Sequence, residues 1–185
     1  ETTARLIRAI AKAGADIIFA SHPHVLQEIG EIEVEREVVR LRPDLVEMPE
    51  PPSYFQRLKG YEPPPIVVPT ETVTKTFKVP VFYSMGNIVS NQRQETLNNR
   101  YTEQGMIASV DIEYIVETGE VSITSVKFIP TWVEKQSVGG RVKYSIIPLV
   151  DGFEENPELL SAGHVKRAEQ ALGDARELIG EEYLY

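Results

Sequence analysis

Eight of the chain's thirteen prolines fall between residues 43 and 69, Pro51-Pro52 and Pro63-Pro64-Pro65 among them. Each proline fixes its own φ and removes a backbone donor, so this stretch can be neither a central strand nor a long helix. It reads as an extended surface excursion, ordered in part by Tyr54, Phe55 and Tyr61. The rest of the 185 residues must fold from what lies on either side of it. That is enough chain for one sizeable core, or for one domain with an appendage.

Before the excursion, Leu6, Ile7, Ile10 and Ala11 recur at helical spacing, which predicts an amphipathic helix over 2–13 ended by Gly14. Residues 15–20 then read as a short buried strand, and Ile32, Val34 and Val38 alternate with charge over 31–41 as an exposed hairpin arm. The Glu31 to Glu37 charges read as its solvated face. After the excursion, 79–83 predicts a second short apolar strand, and 92–104 a polar loop. Ala108, Val110, Ile112 and Tyr114 alternate with polar residues, and Val121 to Ile129 returns as a hairpin partner across a turn at 117–120. The apolar phase switches between Ile123 and Val126, predicting a bulge near Thr124-Ser125. Val142, Tyr144 and Ile146 give one more strand, and Trp132 and Tyr144 read as core residues. A single closing helix is expected, capped by Asn156 with Pro157 at its first position, buried along Val165, Ala168, Leu172, Ala175 and Ile179, and stopped by Gly180. His164 falls inside it, as a solvated or half-buried helical residue. The fold class is α/β.

The net charge of −9 excludes a broad nucleic-acid footprint, which needs a basic face. No apolar run approaches the 18 or so residues of a spanning helix. With no cysteine, disulfides, thiolate zinc sites and a cysteine nucleophile are excluded. A chain that opens at Glu1 reads as a piece of something longer.

Two of the three histidines stand at His22 and His24, directly after the apolar run 17–20. Neutral imidazole is the commonest side-chain metal ligand. Pro23 disfavours helix at His22, and in an extended segment residues i and i+2 face the same way. The two rings are therefore expected to converge on one metal or to reach two neighbouring ones. The bland alternative is a pair of loop histidines, one packed on a strand and one bonded to backbone. Ser84 and Asn87 follow the second apolar strand and can reach the same cleft, Asn87 to orient a ligand histidine or a substrate oxygen. Equally, Gly86-Asn87 can simply turn the chain away from the strand.

At these residues the sequence resembles a known family. Gly14-Ala15-Asp16-Ile17-Ile18-Phe19-Ala20-Ser21-His22-Pro23-His24-Val25 is similar to the GAD-(apolar)-GHHPHV block of the bacterial capsule synthesis, or CapA-like, poly-γ-glutamate proteins. Val81-Phe82-Tyr83-Ser84-Met85-Gly86-Asn87-Ile88-Val89 resembles that family's (I/V)-Y-S-L-G-N-F-V block, in the family's order, and Phe128-Ile129-Pro130 its later strand ending in proline. That family is similar to the calcineurin-like metallophosphoesterases. The resemblance implies the C-terminal portion of a sandwich of two β-sheets flanked by helices, holding two divalent ions (Mn, Zn or Fe). His22 would ligate one ion and His24 the other, with His22 closest to substrate as the catalytic residue. Ser21 stands where that superfamily's last motif, G-H-x-H, has glycine. The superfamily's earlier motifs (D-x-H, G-D, G-N-H-E/D) are not in this sequence, and Ile88 after Gly86-Asn87 separates that pair from G-N-H.

Residues 1–150 are thus expected to form the C-terminal part of such a domain, with 31–78 as a proline-rich insertion, and 151–185 a helical segment. Two imidazoles cannot by themselves hold two cations at the roughly 3.5–4 Å of two-metal chemistry. The expected partner is therefore a missing N-terminal half, and the chain alone is expected to be inactive while the intact protein performs metal-assisted phosphoester hydrolysis. The alternative is a non-catalytic scaffold in capsule polymer synthesis and export, because fold does not fix function. The resemblance also implies capsule polymer machinery as a partner and an extracellular or envelope-anchored location. Whether the parent is an enzyme stays open at this point. The helix at 2–13 and the strand at 15–20 want further sheet neighbours, so an exposed apolar sheet edge or self-association is expected.

Overall fold

A computed structural model describes residues 2–48, 50–62, 64–116 and 119–185. The amphipathic helix α1 (Thr2–Lys12) buries Ile7 and Ala11 but leaves Leu6 60% exposed, so only half of its apolar stripe is covered. The strand after it, β1, is cut to Ile18–Phe19, and β2 runs from Ile29 to Leu41. Four carboxylates of β2, from Glu31 to Glu37, do lie on its solvated face.

The proline-rich stretch holds a 3₁₀ turn at Pro43–Leu45 and one short helix, α2 (Tyr54–Leu58). Ser53 caps α2 with a reciprocal capping box to Gln56. Tyr54, Phe55 and Tyr61 are all exposed, so they do not order the segment by burial; cap and turn chemistry do the local work.

β3 (Thr70–Phe82) begins nine residues before the strand expected from sequence. Its first half alternates threonine with Glu71, Val73 and Lys75, and pairs with β2. It is the central strand: β2 is antiparallel to it along its whole length, from Ile29↔Phe82 to Leu41↔Thr70, and β1 is parallel to it at Ile18↔Val81 and Phe19↔Phe82. β1 is therefore an edge, not a strand covered on both faces, and Phe19 is 51% exposed while stacking on Phe82 at 4.9 Å. Ile7, Ala11, Ile18, Val34, Val79 and Val81 form the core beneath α1.

Residues 92–104 are not a plain polar loop. They form α3 (Gln94–Leu97) and a 3₁₀ turn at Arg100–Glu103, and Arg93, Thr102, Glu103 and Gln104 are buried. A second sheet follows as a meander of β4 (Gln104–Ile115), β5 (Glu120–Val138) and β6 (Arg141–Pro148). Asp111 pairs with Ser125 but Ile112 with Ile123, so Thr124 is the extra residue of the expected bulge. Residues 117 and 118 of the turn expected at 117–120 lie outside the described residues. Trp132 is buried, but Tyr144 stands at the surface with its hydroxyl donating to Asn91 Oδ1 at 2.7 Å, so only the first is core.

The closing segment is two helices, α4 (Pro157–Ala162) and α5 (Val165–Ile179). Asn156 caps α4 as its side chain implies, accepting from Glu158 N–H at 2.9 Å. Gly163 then takes φ 70°, a left-handed cap that glycine adopts without strain, and stops the helix. His164 consequently lies at the junction before α5, not inside a helix. α5 buries Ala168, Ala171, Ala175 and Ile179. Leu26, Ile29 and Phe82 of the first sheet meet Met106 and Phe128 of the second and Ala175 and Ile179 of α5 in one core. Trp132, Ile147, Leu149 and Phe153 form another with Leu159, Ala168 and Ala171. The architecture is α/β, with two mostly antiparallel three-stranded sheets and flanking helices. Among the described residues, no helix is long and apolar enough to cross a membrane.

Candidate functional site

Because β1 and β3 are parallel neighbours, their carboxyl ends release residues 20–25 and 83–87 side by side. This is the rim where α/β sheets commonly carry their functional groups. Ala20 N–H donates to the Phe82 carbonyl at 2.8 Å, Gln27 N–H to the Ser84 carbonyl at 3.0 Å, and Leu26 bridges Met85. The histidine loop is thus laced to the end of β3.

Its backbone is a bend, not the extended segment that the i, i+2 argument assumes. His22 has φ 127°, which is unusual for a residue with a Cβ. Pro23 excludes helix at His22, but it does not enforce an extended chain. Both rings are exposed, and the shared face expected for them does not follow from this backbone.

Two buried side chains hold the loop. Ser84 Oγ donates to the Pro23 carbonyl at 2.9 Å and accepts from Gly86 N–H at 3.3 Å. Asn87 Nδ2 donates to the carbonyls of His24 (3.1 Å) and Thr102 (2.8 Å), and Asn87 Oδ1 lies 2.8 Å from His24 Nδ1. Successive carbonyls, at residues 23 and 24, are therefore each taken by a side chain from the end of β3. Ser84 and Asn87 do reach the histidine loop, as one of the two sequence readings had it.

The same corner joins the two sheets. Asn87 N–H donates to the Gln104 carbonyl at 2.9 Å and Met106 N–H to the Met85 carbonyl at 3.0 Å, about a bridge between Gly86 and Gly105. A Cβ on Gly105 would stand 2.3 Å from the Asn87 carbonyl oxygen, so close approach demands glycine there.

Behind this corner lies a polar cluster that sequence reading missed. Glu103 is fully buried between Arg93 (2.8 Å) and Arg167 (2.5 Å), and both guanidinium groups lie near the Trp132 ring, at 5.7 and 5.4 Å. Glu134, also buried, accepts from Trp132 Nε1 at 3.0 Å and Lys135 N–H at 2.9 Å, and pairs with His164 Nδ1 at 2.9 Å. Arg167 is raised in pKa, with burial opposing the attraction of Glu103 and Glu95. The partners lie up to 72 residues apart, and no local spacing signals them.

As a cation site, the donor chemistry fits in part. Imidazole nitrogen suits zinc or iron, whereas manganese favours oxygen donors. Among the described residues, though, no group of three or more His, Asp or Glu side chains is placed to hold an ion. The two histidines suit a contribution to a cation's shell, not the whole of it.

No curated protein and no solved structure matches the chain. The family model described as bacterial capsule synthesis protein PGA_cap matches residues 1–92, which contain the histidine loop, Ser84 and Asn87. Over those residues, just under half of its length, the chain is similar to the bacterial capsule synthesis protein PGA_cap family.

Proposed function

We propose that these residues act as the C-terminal part of a metal-dependent phosphoesterase working in capsule polymer assembly at the cell envelope, with His22 and His24 as two of its metal ligands. The observation carrying this reading is the loop of residues 22–24, held at the rim of the first sheet by Ser84 and Asn87. The likeness of 14–25 to the last metal-binding block of the metallophosphoesterase superfamily supports it, as does the two-sheet architecture. The remaining ligands, a bridging carboxylate among them, would come from polypeptide outside these 185 residues.

When bound, divalent ions would supply positive charge to the phosphoryl oxygens and lower the pKa of an attacking water. The chain's own part is to present imidazole nitrogens on a loop whose carbonyls are pinned. His22 is exposed on that loop and is the residue assigned nearest to substrate.

The test is metal content. The larger polypeptide should carry about two ions per chain, lost on His24→Ala, and the 185 residues alone should not hydrolyse an aryl phosphate with added Mn²⁺ or Zn²⁺. A folded larger protein that binds no ion overturns the reading in favour of a scaffold in polymer synthesis and export.

A further inference from the structure

Asn87 does more at the histidine loop than fill a turn, and its hydrogen bonds carry directional information. Its Nδ2 faces two backbone carbonyls, those of His24 at 3.1 Å and Thr102 at 2.8 Å. A carbonyl can only accept, so the amide is oriented with its NH₂ toward them. Asn87 Oδ1 is then the atom 2.8 Å from His24 Nδ1, and a carbonyl oxygen has no proton to give. The proton in that bond belongs to Nδ1. In the neutral ring, Nε2 is left bare, with its lone pair on an exposed side chain.

We propose that Asn87 is a positioning residue that locks His24 in the Nδ1–H tautomer and so makes Nε2 the nitrogen that takes a divalent cation. This rests on the metal reading above only for the identity of what Nε2 meets. The lock itself stands on the hydrogen bonds.

The lock is rigid because Asn87 is not free to follow the ring. Its own N–H is committed to Gln104, and its Nδ2 to Thr102, beside Glu103 in the buried cluster between Arg93 and Arg167. The ring is therefore referenced to the second sheet although it is carried by the first. An acceptor whose own amide also holds its partner's backbone carbonyl fixes both the position and the rotation of the imidazole, the role carboxylates and carbonyls play behind many metal-ligating histidines.

The experiment is nitrogen NMR on the full chain with ¹⁵N-labelled histidine, free of metal. There are three rings to assign, and His22→Ala and His164→Ala assign them. His24 should show a pyrrole-type Nδ1 and a pyridine-type Nε2. Asn87→Ala should abolish that pattern and leave the His164 signals, which report the separate bond to Glu134, in place. If Asn87→Ala proves too unstable to study, the wild-type tautomer by itself still tests the lock, because only a pyrrole-type Nδ1 is compatible with a bond to Asn87 Oδ1. Titration with zinc alone should shift the His24 Nε2 signal, with affinity about 10–100-fold weaker in Asn87→Ala. An Nε2–H tautomer in the wild-type chain, or a tautomer unchanged by Asn87→Ala, overturns the lock. The expected tautomer with no response to zinc sustains the lock and overturns Nε2 as the nitrogen that takes the cation, whereas the metal reading itself fails only if the larger polypeptide holds no ion.

Discussion

Ser84 Oγ donates to the Pro23 carbonyl at 2.9 Å, across 61 residues of sequence, from a position with no solvent exposure. A buried hydroxyl there satisfies one carbonyl and one N–H, that of Gly86, at once. Ser84→Ala should therefore cost about 1–3 kcal/mol, the range for leaving buried partners unpaired. Urea unfolding with Trp132 fluorescence as the probe measures it, since this is the chain's one tryptophan. A change within ~0.5 kcal/mol, the usual size for an exposed site, would show that the loop is not held there.

Gly105 predicts a sterner effect. An added methyl would meet the Asn87 carbonyl oxygen at 2.3 Å and its carbon at 2.8 Å, both backbone atoms that cannot rotate away. Gly105→Ala should destabilise by at least the ~1–3 kcal/mol of a typical overpacked core and part the two sheets at their bridge. Amide exchange at Asn87 and Met106 reads this directly, because both N–H groups bond across that bridge. Unchanged protection at the two amides would refute it.

What the sequence made legible follows from how locally each signal acts. The bulge at Thr124 was readable because a strand's alternation is counted residue by residue, and a phase slip of one is visible on the page. The cap at Asn156 was readable for the same reason. The break at Gly163 was not, because a buried stripe of helical period continues on either side of it, and only the left-handed turn reveals that two helices share the stripe. The bend at His22 escaped in another way: proline restricts its neighbour without prescribing its φ. Of the site, the four residues His22, His24, Ser84 and Asn87 could be named in advance. What holds them could not, because Thr102, Gln104 and the Arg93–Glu103–Arg167 cluster are supplied by a segment whose polarity reads as loop. Polar residues there pair with each other across long separations, and periodicity carries no trace of that.

Glu134 is the sharpest case of such pairing. Its buried carboxyl group takes Trp132 Nε1, the Lys135 N–H and His164 Nδ1. Glu134→Ala removes the acceptor from all three donors and opens a void beside Trp132. A loss of about 1–3 kcal/mol for each buried donor left unpaired is expected. His164→Ala should cost less, because His164 is partly exposed and its loss leaves Glu134 two donors. Equal losses for the two variants, measured by the same fluorescence transition, would contradict the asymmetry.

Asp174 supplies the pH dependence. The Arg100 guanidinium, bonded at 2.9 Å, holds its carboxyl below the usual range against the opposing effect of burial, and Gln104 adds a bond at 3.0 Å. A carboxyl lowered in the folded state contributes stability that is complete above its unfolded value, about 3.9, and is lost as pH falls through the folded value. Arg100 stays protonated throughout, its own pKa raised by the same pair. Asp174→Asn should thus be less stable than wild type at neutral pH, and the difference should shrink below about pH 4. Urea midpoints of the two proteins, followed from neutral pH downward, should converge. A gap of constant size would mean that Asp174 acts through packing against Gln104 rather than through its charge, and Arg100→Gln decides between them: it should reproduce the convergence if the ion pair is the source.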